Sequence, residues 1–333
     1  MLGYRKCSFT AAHAFLQTLR ANLEDLKTLK ALQKLLLSEI IRAEEKIREL
    51  KAELVTMRGK ADRTAVNRST YLQNRIDGFR RCAYIWRCFG DAIAFLYMDK
   101  FALKHCFYST ENTNPRQDAG FIAGKKGLAS ELLLLNSALE HNVPALLVDL
   151  TNTIRYGDIC LMGGPDPYLI EVKTSQKLDR RSRKQKRSLE KLQTFYETDS
   201  GKGLRGFLEL RRHVSAVPEC THVDQMNECI TEAQNNGYAV RQPERGLYFL
   251  VLTNEGPHLA QAMNSLELKN PLVFFLNRKK SARTWAPYSP FVLTIVNKSH
   301  LWHFIQGNLF IFVFVEVGRL WRDRPRERLS CEI

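Results

Sequence analysis

Asp158, Glu171 and Lys173 are the residues of this 333-residue chain whose types and spacing could do chemistry. They stand in the stretch 156–175, YGDICLMGGPDPYLIEVKTS, where apolar runs at 159–162 and 168–172 flank a GGPDP cluster. Apolar runs on either side of Gly and Pro predict a β-hairpin. A turn centred near Gly164 and Pro165 puts Asp158 opposite Glu171, and directly opposed residues of an antiparallel pair hold their Cβ atoms about 5 Å apart. Lys173 lies two residues past Glu171, and the strand period of two sends both side chains to one face. Two carboxylates and an ammonium then converge at one end of an apolar hairpin, a pattern suited to a divalent cation beside a basic group.

An acidic residue two before a lysine carries no weight alone, since the same spacing recurs at Asp25/Lys27, Glu44/Lys46, Glu49/Lys51 and Glu267/Lys269. What sets Glu171/Lys173 apart is its surroundings. Upstream, GKKGLASELLLLNSALEHN places Leu128, Glu131, Leu132, Leu135 and Leu139 on one helical face. A carboxylate among leucines needs a cationic partner or a place at the rim. The run PALLVDL at 144–150 reads as a buried strand. Downstream, 177–191 holds eight Lys or Arg against Asp179 and Glu190. Leu189, Leu192, Phe195 and Tyr196 give this segment the stripe of a basic amphipathic helix. Arg180, Arg181, Arg183, Lys184 and Arg187 are its candidate phosphate contacts. A second Pro-Asp pair, Pro165–Asp166, lies in the turn; Asp166 is five residues from Glu171, about 16 Å along an extended strand, and is read as a turn residue.

Around this centre the chain divides into three expected segments. Residues 1–107 form a helical module. Leu26, Leu29, Gln33, Leu36, Ile40, Ala43, Ile47, Leu50, Leu54 and Met57 keep a heptad seam with Gln33 as its one polar member, and Glu44, Glu45 and Lys46 lie between. The seam needs a second helix, from another copy or from later in this chain, and Gly59 ends it. Helix continues over 62–104, where Arg87 and Asp91 stand at i,i+4 and could pair. These charges, with Asp99 and Lys100, make the apolar run there a core helix rather than a membrane span. A polar stretch, 108–117, reads as a linker. The core, 118–255, follows, and 256–333 is a β-rich extension. Beyond 200, a helix is expected over 223–236 up to Gly237, and strands at 247–253, 272–276, 291–296 and 309–317.

A formal charge of +15 favours a polyanionic partner, nucleic acid before membrane. Eight scattered cysteines without a CxxC pair, and no signal-peptide layout at the N-terminus, fit reduced thiols in the cytoplasm. Cys220, His222 and Cys229 match no common zinc-finger spacing.

The joint pattern resembles the PD-(D/E)xK nuclease superfamily, with its restriction-endonuclease-like α/β core of helix, three-stranded meander, helix and a further strand. The resemblance covers roughly 124–199, with a last core strand expected near 247–253. Asp158 matches the motif aspartate, Glu171 and Lys173 the ExK, Glu131 the helical glutamate, and Gln185 a glutamine of the following helix. Gly157 departs from the motif by standing where the proline would be. The resemblance implies a Mg²⁺- or Mn²⁺-dependent endonuclease acting on DNA more than RNA, in the manner of a bacterial restriction or anti-phage defence effector. Asp158, Glu171, the Val172 carbonyl and Glu131 would hold metal, and Lys173 would orient water or stabilise charge on the phosphate. The coiled coil would pair subunits into a homodimer or higher oligomer, which suits cutting both strands of a duplex, and a defence-system partner protein, but no membrane, is expected beside it. The competing expectation is a catalytically silent, nuclease-like protein that binds nucleic acid or serves as a scaffold.

Overall fold

The structure, a computed structural model, describes residues 5–57, 63–117, 120–172, 180–213, 220–254, 259–263, 266, 268–279 and 289–320. The fold is mixed α/β, with long N-terminal helices and three small antiparallel sheets. The chain divides into two compact units, Met1–Arg212 and His213–Ile333. The N-terminal helices and the hairpin fall in the first of these units.

In the first unit, α1 (Lys6–Ala21) is followed by α2 (Leu26–Thr56), α3 (Arg63–Tyr97) and α4 (Lys100–Phe107). Asp25 caps α2 by accepting the Thr28 N–H at 3.0 Å, and Asp99 caps α4 through the Ala102 N–H at 2.8 Å. The heptad seam of α2 is real and is filled from within the chain. Ala43 and Ile47 pack against Ile76, Phe79 and Ala83 of α3, with Leu50 and Leu54 beside them. Of the two sources expected for the second helix, a later part of this chain supplies it along this stretch, as α3. Gly59 lies outside the described residues.

Four polar residues of this region have roles that periodicity misses. Gln33 donates from Nε2 to the Ala145 carbonyl and accepts the Leu147 N–H at Oε1, both at 2.9 Å. Glu44, expected on the outer face, is buried: it accepts Arg87 at 2.7 Å and the Ala123 N–H at 2.9 Å. The expected Arg87–Asp91 pair does not form. Arg87 also donates to the Asp149 carbonyl, and Asp91 accepts the N–H groups of Asn152 and Thr153. Backbone donors in a buried loop need acceptors more than Arg87 does, because it reaches Glu44.

Next come α5 (Leu128–Glu140), then β1 (Ala145–Leu147), β2 (Ile159–Leu161), β3 (Tyr168–Ile170) and α6 (Arg180–Thr198). The strands form a meander in the order β1-β2-β3. Ile159 pairs with Ile170, as the turn count predicts, and past that pair the Asp158 N–H donates to the Ile170 carbonyl, so the ladder ends before Glu171. Asp166 in the turn is bound by both terminal nitrogens of Arg212, which also holds Asp199. After α6 the chain makes a small hairpin, β4 (Ser200–Lys202) with β5 (Glu209–Arg211).

The second unit contains α7 (Val223–Asn236), β6 (Tyr238–Glu244), β7 (Leu247–Thr253), α8 (Leu259–Met263), β8 (Leu272–Phe275), α9 (Phe291–Thr294), α10 (Lys298–Gln306), β9 (Leu309–Val315) and α11 (Val317–Leu320). Its sheet runs β6-β7-β9-β8. The strand expected to complete the nuclease-like core, β7, is paired here with β6 and β9. It cannot serve in the β1-β2-β3 sheet at the same time. The β-rich run near 291–296 is the short helix α9 instead of a strand. Asn227 accounts for the difference: its side chain accepts the Val296 N–H and donates to the Thr294 carbonyl, the bonds a neighbouring strand would have supplied. Among the described residues all cysteines are free, and no helix is long and apolar enough to cross a membrane.

Candidate functional site

The site begins where β1 gives way to a single 3₁₀ turn at Val148–Leu150. The Val148 N–H still reaches the Asp158 carbonyl at 2.9 Å, the last bond of the β1–β2 pairing. The turn then carries the Asp149 side chain out of the sheet. Helix α3 fixes this turn from behind. A Cβ on Gly90 would sit 1.9 Å from the Leu150 carbonyl oxygen, so only glycine permits the approach. One turn before Gly90, Arg87 holds the Asp149 carbonyl, and directly after it Asp91 accepts the N–H groups of Asn152 and Thr153.

Gly157 places Asp158. Its φ of +72° is a left-handed conformation closed to proline and strained for other L residues, and a Cβ there would lie 2.8 Å from the Ile170 carbonyl oxygen. The departure from the Pro-Asp motif thus has a backbone cause. Asp158 donates its own N–H to Ile170 at 2.7 Å, and its Oδ2 accepts the Val172 N–H at 2.9 Å. Its Oδ1 is left for the cleft.

That oxygen meets a lysine the sequence did not single out. Lys125, on the turn before α5, places Nζ 3.0 Å from Asp158 Oδ1, 2.7 Å from Asp149 Oδ2 and 3.0 Å from Glu131 Oε1. The turn itself is pinned by α2, since Glu44 accepts the Ala123 N–H and Arg48 donates to the Ala123 carbonyl. Burial works against the Lys125 ammonium, but the Asp149 carboxylate, with the help of Glu131 and Asp158, outweighs it and holds the group above its ordinary range. Glu131 is only 2% exposed, and its second oxygen, Oε2, is buried with no hydrogen-bond partner among the described residues. Burial raises its pKa against the pull of Lys125.

These groups line an open cleft of 910 Å³ that also takes in Glu171, Val172, Gln185, Arg116, Arg155 and the exposed Phe121. Glu131, Asp158, Glu171, Val172 and Gln185, all chosen from the sequence, do share this one cleft. Lys173 lies outside the described residues, as do the side chains of Arg180 and Arg181. Arg183, Lys184 and Arg187 are exposed on α6 and, with Lys191, Thr110 and Ser188, line an adjoining groove of 540 Å³. Lys184 meets Glu111 across it at 3.0 Å.

Lys125 and Asp149 are the members that sequence reasoning missed. Asp149 carried a signal, being the one charge in the apolar run PALLVDL. Lys125 carried none, because a lysine in a Gly-rich turn has no periodicity to place it. Among the described residues no group of three or more His, Cys, Asp or Glu side chains is arranged to hold a metal ion; the carboxylates here meet on the Lys125 ammonium instead. Their donor chemistry nevertheless fits a hard cation, with carboxylate oxygens throughout and one buried oxygen that has no partner among the described residues. No family model, curated protein or solved structure matches the chain.

Proposed function

We propose that this chain is a Mg²⁺- or Mn²⁺-dependent nuclease that hydrolyses phosphodiester bonds in DNA, built on a core related to the PD-(D/E)xK superfamily. The observation that carries the reading is the convergence of Glu131, Asp149 and Asp158 in one open cleft with Glu171, rimmed by the basic face of α6. The order α5, β1-β2-β3, α6 supports it, although β7 does not complete the core sheet.

Asp158, Glu171, the Val172 carbonyl and Glu131 would hold the ion, which when bound would polarise the scissile phosphate and lower the pKa of a water. The Val172 N–H keeps the Asp158 carboxylate in one orientation. Arg183, Lys184 and Arg187 grip flanking phosphates, joined by Arg180 and Arg181 at the start of the helix. Gln185 faces the same cleft as the carboxylates, and Lys173 stabilises charge on the phosphate. On this reading the protein acts in the cytoplasm as a restriction or anti-phage effector, with DNA rather than RNA as its polymer and a defence partner as its trigger. Incubating a panel of labelled DNA and RNA with Mg²⁺ or Mn²⁺ tests it. Wild type should cleave DNA, and Asp158→Ala and Lys173→Ala should be at least about 100-fold slower. Lack of cleavage by wild type, or full activity in both variants, sinks it.

One observation favours a second reading, a nuclease-like protein that binds nucleic acid without cutting. Lys125 already engages three of the carboxylates with an ammonium of the chain itself. On that reading calorimetry detects no Mg²⁺ or Mn²⁺ site, while DNA binding survives Asp158→Ala.

A further inference from the structure

We propose that Lys125 is the resident cation of the carboxylate cluster, which a divalent ion displaces in order to bind. This rests on the metal-binding part of the nuclease reading and adds the group that regulates it. Three carboxylates from three separate elements, Glu131 in α5, Asp149 after β1 and Asp158 before β2, lie within 3.0 Å of one ammonium. Among the described residues one ammonium in contact with three carboxylates leaves a formal surplus of two negative charges at the cluster, so a second positive charge is attracted to it. Asp158 Oδ1 is engaged by Lys125 while Oδ2 is engaged by Val172, so a cation reaching that carboxylate competes directly with Nζ.

The lysine is placed to leave. Its side chain is 28% exposed, whereas that of Glu131 is 3% exposed. It projects from a turn whose Gly124 has φ +74°, and the pins on that turn hold the Ala123 backbone, leaving the Lys125 side chain to turn on its own four-carbon stem. It lines the same cleft as Gln185 and Lys184, so a displaced ammonium stays within reach of a phosphate entering there. Metal binding then costs the three ion pairs of Lys125, and a phosphate that takes up the freed ammonium recovers part of that cost. Metal affinity is therefore low without substrate and higher with it, by reciprocal linkage.

Two measurements test this. The first is calorimetry with Mg²⁺ alone and Mn²⁺ alone on wild type, Lys125→Met, Lys125→Arg and the Lys125→Met/Asp158→Asn double variant. Removing the ammonium should tighten metal binding at least tenfold; Lys125→Arg should stay near wild type, and the double variant should lose the gain. The second needs no variant that must fold: lysine acetylation of wild type read by mass spectrometry. Lys125 should be protected without metal and become several-fold more reactive at saturating Mn²⁺, with Lys126 as the exposed reference. Equal or weaker affinity in Lys125→Met, no binding by either protein, or Lys125 reactivity unchanged by Mn²⁺ would each overturn the proposal. Tighter metal binding in Lys125→Met from a wild type that cuts no nucleic acid would defeat the nuclease reading and leave this one standing. A wild type that cleaves with Mg²⁺ while Lys125→Met shows unchanged affinity would do the reverse.

Discussion

Asp158 is held at both ends, by the Val172 N–H on its side chain and the Ile170 carbonyl on its backbone, and both contacts depend on the angle at Gly157. Gly157→Ala must bear a left-handed backbone and a Cβ 2.8 Å from a carbonyl oxygen. It should lose about 1–3 kcal/mol in urea unfolding, and any cleavage activity should fall with the displacement of Asp158. His105 is a second residue whose environment dictates behaviour. Burial, then the charges of Arg205, Lys104 and Arg212, push its pKa from 6.5 down to about 3, and Arg205 donates to its Nδ1 at 3.0 Å. The folded chain therefore keeps His105 neutral where the unfolded chain would take a proton. The stability this reflects is fully present above pH 6.5 and is lost as pH falls toward about 3. Urea unfolding at pH 7, 5 and 4 should show a loss of up to about 1.4 kcal/mol per pH unit from this one proton. His105→Gln, which keeps an acceptor for Arg205, should flatten the slope.

At the scale of elements, the two long helices act as the back wall of the site. Helix α2 reaches β1 through Gln33 and the Lys125 turn through Glu44 and Arg48; α3 reaches the Asp149 turn through Arg87, Gly90 and Asp91. A glutamine in an otherwise apolar seam reads as a device for choosing helix register. Here it pairs with strand backbone that has no other partner on that side. Gln33→Leu keeps the volume but leaves the Ala145 carbonyl and the Leu147 N–H buried and unpaired, at about 1–3 kcal/mol each. Its unfolding free energy in urea should drop by about 2–4 kcal/mol, far more than the gain in apolar surface returns. An unchanged midpoint would mean that water replaces the side chain.

For the whole molecule, the division at Arg212 puts every described residue of the cleft in the first unit. A fragment spanning 1–212 should therefore fold alone, with a cooperative thermal transition, and should keep the metal response of the full chain in calorimetry. A fragment that stays unfolded would show that the second unit completes the first. The second unit has its own apolar cluster, in which Tyr248, Leu250 and Leu252 pack with Ala262 and Phe314, and it accounts for the strong strand signals late in the chain.

By itself the sequence determined the local features: the α2 heptad seam, α7 ending at Gly237, the β2–β3 hairpin with Ile159 opposite Ile170, and the amphipathic stripe of α6. Each is set by near neighbours, through a period of 3.5 or 2 or a glycine needed for a turn, so composition and spacing suffice. Tertiary structure alone decided who fills the seam, which sheet receives β7, and which cation meets the carboxylates. Glu44, Arg87 and Asp91 are charges that a pattern assigns to a helix surface or to each other, and burial against distant backbone reassigns them. Lys125 reaches Asp158 across 33 residues of chain, and Gln33 reaches β1 across more than 100. Such pairings follow from closing the fold around buried polar groups that must find partners, and no short-range period carries that information.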